Sequence, residues 1–123
     1  MATKITNQDS GLSTTIYSNT TLSSAPQAVT PGTSTVVYGL KITNATGSDG
    51  WVKIYNLATT VTAGTTAPDI TIPVANGWSD DPIFITTGGV TLANGLQGRI
   101  SDAGGGTAGT GSLSVDTSVV YAT

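Results

Sequence analysis

The chain's only adjacent carboxylates are Asp80 and Asp81, which follow Trp78 in the polar run Asn76-Gly77-Trp78-Ser79-Asp80-Asp81. A hard cation such as Ca²⁺ collects about six to eight oxygen ligands, and the usual loop alternates acidic residues and closes on a glutamate. No such alternation accompanies this pair, and the sequence contains no Glu. A solvated turn is the stronger reading of Asp80-Asp81, and Asn44 to Asp49 resembles a calcium loop in composition alone. With neither His nor Cys present, the nitrogen and sulfur ligands of transition-metal sites are missing as well. No metal is expected.

Catalysis meets the same shortage. Acid–base work draws mainly on His, Glu, Asp, Lys, Tyr and Cys, and three of these types are absent. Ser and Thr are plentiful, but a His-based triad cannot be built, and a Ser–Lys pair would have to recruit Lys4, Lys41 or Lys53. Gly104, Gly106 and Gly109 satisfy G-x-G-x-x-G, a pattern that cradles a pyrophosphate only between a strand and a helix start. Here Ser112-Leu113-Ser114-Val115 follows with strand alternation, so the match belongs to a Gly-rich loop, Asp102 to Gly111, with nothing to bury. The expectation is a non-enzyme without a cofactor. Trp78, set in a polar loop, is either an exposed anchor for a protein or sugar or a cap folded back over one end of the core.

The elements available to hold any site are strands. No segment carries apolar residues at helical spacing, whereas β-branched residues fall into short alternating runs. In Val36 to Thr43, Val36, Tyr38, Leu40 and Ile42 share one face. Trp51 to Leu57 follows, across the turn-forming Thr46-Gly47-Ser48-Asp49-Gly50, which predicts a β-hairpin pairing Ile42 with Lys53, Leu40 with Tyr55 and Tyr38 with Leu57. That register turns Trp51, Tyr55 and Leu57 inward and leaves Lys53 snorkelling at the hairpin end; a slip of one residue would bury Val52 and Ile54 instead. Further strands are predicted over 69–75, 82–86, 90–92, 96–101 and 112–122, with Asn76-Gly77 and Asn94-Gly95 as turns. Pro73 has no amide hydrogen for a ladder, so its strand is expected at a sheet edge or with a bulge.

These short strands predict an all-β antiparallel sandwich, jelly-roll-like, within one domain of 123 residues. Residues 36–123 form the expected sandwich domain. Residues 1–35 scatter Ile5, Leu12, Ile16 and Tyr17 among Thr and Ser before Pro31-Gly32, and read as an N-terminal arm or peripheral strand. Only 9% of residues are charged, the net charge is −3, and the four cations are scattered. Such a surface offers no basic stripe for nucleic acid. No apolar run reaches the length of a membrane span or a secretory signal, so neither membrane association nor export is expected, and synthesis is placed in the cytoplasm.

The segments Tyr38-Gly39-Leu40-Lys41-Ile42-Thr43-Asn44, Trp51-Val52-Lys53-Ile54-Tyr55-Asn56, Gly64-Thr65, Pro68, Thr71-Ile72-Pro73-Val74 and Asn94-Gly95-Leu96 through Ile100 resemble small virion structural proteins of tailed bacteriophages, and most of all capsid decoration, or cement, proteins. The resemblance covers residues 36–101. It implies a homotrimer on the capsid exterior whose partners are the major capsid protein and itself, made in the host cytoplasm. It departs from that pattern around 78–90, which is more polar here. Ile5, Leu12, Ile16, Tyr17, Trp78, Asp80 and Asp81 are the candidate contact residues. The alternative function is a phage tail or fibre module, a lectin-like sandwich recognising a host glycan or receptor through Trp78 and Asp80-Asp81.

Overall fold

The computed structural model describes residues 2–5, 15–80, 89–104 and 113–123, with the backbone alone for 2–5, 15–17 and 80. Leu12, Asp81 and the strand expected over 82–86 lie outside the described residues. Within them the chain forms β1 (Ala2–Ile5), β2 (Thr15–Leu22), β3 (Gln27–Ala28), β4 (Thr35–Thr43), β5 (Gly50–Tyr55), β6 (Ile70–Val74), β7 (Ser79–Asp80), β8 (Val90–Leu92), β9 (Gln97–Ser101) and β10 (Val115–Ala122). All pairings are antiparallel. One sheet runs β1-β2-β10-β4-β7, with β8 also on β4, and the other runs β3-β9-β5-β6.

The two sheets face each other across one apolar cluster. Leu22, Val37, Leu40, Ile42, Val115, Val119 and Tyr121 come from the first sheet, and Val52, Ile54, Val74 and Ile100 from the second. Covering these side chains stabilises the fold by roughly 1.5–3 kcal/mol each, and the alternation along β10 shows the geometry: Val115, Thr117, Val119 and Tyr121 are buried, while Asp116 faces water.

Two expectations need correction. The predicted hairpin does not form: β4 pairs with β10, whereas β5 pairs with β9 and β6 in the opposite sheet. Residues 44–49 form an arch between the sheets. Asn44, fully buried, donates to Ser48 O at 2.9 Å and to Val74 O at 2.8 Å, and its Oδ1 accepts from the Thr46 amide and hydroxyl. Turn residues of this length satisfy an arch as well as a hairpin, so composition does not separate the two.

The face assignment in β4 also changes midway. Val120 pairs with Gly39 and Tyr121 with Val37, leaving Tyr38 as the extra residue of a bulge. Thr35 and Val37 are inward before it, Leu40 and Ile42 after it, and Val36 and Tyr38 are only half-buried.

Of the two readings of residues 1–35, an arm or a peripheral strand, residues 15–35 take the strand form, with β2 and β3 in the two sheets. β2 lies between β1 and β10, and Leu22 and Val29 join the core. Apolar periodicity misses β2 because the positions facing Thr117 and Val119 are Thr20 and Ser18. The hydroxyl of Thr117 is satisfied within the sheet by Thr20 O at 2.7 Å.

Pro73 sits as expected on an edge strand, β6. The Ile54 carbonyl accepts from Asp69 N at 2.8 Å where Ile54 pairs with Ile70, so the alternate residues Thr71 and Pro73 turn their nitrogens toward the free edge. Gly95 closes the opposite end of the molecule. It has φ +77°, and a Cβ there would lie 2.0 Å from Pro31 O, so only glycine fits.

Candidate functional site

β5 alternates large side chains on both faces. Val52 and Ile54 enter the core, so Trp51, Lys53 and Tyr55 point to the outer side, opposite Ser101, Arg99 and Gln97 of β9. That outer side is not open to water: Lys53, Tyr55, Arg99 and Ser101 are all 0% exposed. Arg99 Nε donates to the Tyr55 hydroxyl at 3.1 Å. Burial, then the neighbouring Arg99 charge, holds the Lys53 ammonium below the usual lysine range, and Asp102 opposes the shift. Gly104 packs against Trp51, where a Cβ would sit 2.6 Å from the indole Nε1. The first residues of the Gly-rich segment thus form part of the cover, and the other two glycines of its G-x-G-x-x-G pattern lie outside the described residues.

The outer face of the larger sheet is the reverse case. Its polar side chains stand in cross-strand rows on β2, β10, β4 and β7. In one row Thr21 Oγ1 donates to Asp116 Oδ1 at 3.1 Å, Asp116 pairs with Thr43, and Thr43 Oγ1 lies 3.1 Å from Ser79 Oγ. In the next, Ser118 Oγ donates to Asn19 Oδ1 at 2.6 Å and Ser118 pairs with Lys41. Neighbouring strands are about 4.8 Å apart, so the groups form a flat array fixed by backbone ladders. Between β2 and β10 it dips into a groove of about 390 Å³ lined by Asn19, Thr20, Thr21, Asp116, Thr117 and Ser118. Hydroxyls, an amide and a carboxylate can donate and accept hydrogen bonds there.

Of the candidate contact residues, Leu12 and Asp81 lie outside the described residues. Trp78 is half-buried against the core cluster, and its carbonyl accepts from Asn44 N at 2.8 Å. It is a cap, not an exposed anchor. The Asp80 backbone continues β7 beside Ile42, and Ile5, Ile16 and Tyr17 fall on β1 and β2. Among the described residues no group of three or more acidic side chains could hold a metal ion.

Sequence reasoning left Lys53 snorkelling at the end of a hairpin, counted Arg99 only among the scattered cations, and overlooked Asn19, Thr21, Asp116 and Ser118. A signal for the first existed: Trp51-Val52-Lys53-Ile54-Tyr55 carries bulky residues in both phases, as in a strand covered on both sides. No such signal marks the open face, because Thr and Ser look alike whether they line a strand or a loop. Compared with known proteins, the chain matches no family model, and no curated protein and no solved structure is similar enough to count as a match.

Proposed function

We propose that this protein is a non-enzymatic structural component of a bacteriophage virion that decorates and stabilises the capsid exterior through symmetric contacts with the major capsid protein and with copies of itself. The observation that carries the reading is the open outer face of the larger sheet. Its polar groups are held by strands in the interior of the sheet, so docking on them costs little ordering entropy. A repeated lattice contact needs shape complementarity and many modest interactions, and a flat polar array supplies those. The resemblance over residues 36–101 points the same way. The tail or fibre reading draws less support, because Trp78, one residue of the site assigned to it, is half-buried against the core cluster.

Quantitative mass spectrometry of purified particles tests the proposal. A copy number approaching that of the major capsid protein is expected, together with a trimer mass in sedimentation equilibrium of the isolated protein. A few copies per particle would place the chain at the tail instead.

A further inference from the structure

We infer that the groove between β2 and β10 is a binding site for an uncharged sugar. The described residues that line it are all polar types, Asn19, Thr20 and Thr21 on one strand and Asp116, Thr117 and Ser118 on the next. A lipid or an apolar peptide side chain finds no pocket there. Asp116 is exposed at the rim and disfavours a phosphate or carboxylate ligand, and Lys41, opposite Ser118 on β4, is the cation nearest in register.

What remains is a neutral polyol. Vicinal hydroxyls both donate and accept, which suits the planar Asp116 carboxylate and Asn19 amide flanked by the Thr21 and Ser118 hydroxyls. These four side chains already orient one another through the Thr21 to Asp116 and Ser118 to Asn19 bonds. A sugar ring laid across the two rows meets groups whose directions are set before it arrives. The inference is independent of the virion reading, since a sugar site serves a capsid surface and a tail module alike.

The test is an amide-resolved NMR titration of the full chain with methyl glucoside, methyl galactoside, N-acetylglucosamine and, as a charged control, methyl glucuronide. Saturable shifts at residues 19–21 and 116–118 are expected with at least one neutral sugar and not with the glucuronide. Asp116→Ala and Asn19→Ala should each weaken binding by about tenfold, with unchanged spectra elsewhere showing that the fold is kept. Thr91→Ala, on β8 of the same sheet, should leave binding unchanged. The inference fails if no neutral sugar gives saturable shifts in the groove, if the glucuronide binds equally well, or if the Asp116 and Asn19 variants bind like the parent.

Discussion

The two outer faces of the sandwich use similar backbone for opposite purposes. On β5 and β9 the outer side holds an arginine, a lysine and a tyrosine, none of them exposed. On β2, β10 and β4 it presents Asn19, Thr21, Lys41 and Asp116 to water. The contrast shows that side-chain polarity does not report which face of a sheet is wet: here two formal charges are covered, and much of the exposed array is hydroxyl. It also separates stability from contact. The covered face holds its cations at a desolvation cost that neighbouring groups must offset, whereas the open face makes cheap, replaceable hydrogen bonds.

Removing a covered cation should break this contrast most severely. Arg99→Ala empties the site of a fully buried side chain and strands the Tyr55 hydroxyl, so thermal or urea unfolding should record a loss on the order of 3–5 kcal/mol. Gly104→Ala tests the cover itself. Its methyl group would press on Trp51, and a cost of about 1–3 kcal/mol is expected, with a change in Trp fluorescence. An unchanged melting temperature would mean that the cover yields freely.

Lys53→Met sharpens the comparison through pH. The folded state disfavours the charged ammonium because of burial and Arg99, so the penalty is fully present below the lowered folded value, where Lys53 is charged in both states. It fades as pH rises from the lowered folded value toward the unfolded 10.5. The variant should therefore melt higher than the parent at neutral pH, with the difference closing toward pH 10.5. Burial raises the Tyr121 phenol and so erodes stability as pH rises past its unfolded value, but this affects both proteins and leaves the difference intact. The smallest effects belong to the open face: Thr21→Ala and Ser118→Ala should each change stability by less than about 0.5 kcal/mol.

How far the sequence announces this architecture depends on which signal each residue carries. Val115, Val119, Ile70 and Ile100 alternate with small or polar neighbours, and the strands around them are legible at close to their observed limits. Pro73 announces its edge because a missing amide hydrogen has few places to go. Tyr38 misleads, since a single extra residue in β4 exchanges inside for outside and nothing in Val36-Val37-Tyr38-Gly39 marks where it falls. The arch at Asn44 misleads for a different reason. Whether two strands joined by a polar turn pair with each other or part into opposite sheets is decided by distant partners, β10 for one and β9 for the other, and no local pattern encodes that choice. The groove is the least legible feature, because it exists only when Thr15–Leu22 and Val115–Ala122, far apart in the chain, lie side by side.

The burial of Lys53 and Arg99 has one more consequence, which concerns proteases. Enzymes that cut after basic residues find four such positions in the whole chain, and two of them are sealed inside strands at 0% exposure. Lys41 is exposed, but its backbone is held in β4 beside β10. A protease must draw several residues into extended form in its own cleft, so cleavage at positions 41, 53 and 99 has to wait for the sandwich to open. Trypsin digestion past Lys4 would then act as a clock for global unfolding, and the folded chain resists cleavage after its strand-held basic residues without a single disulfide.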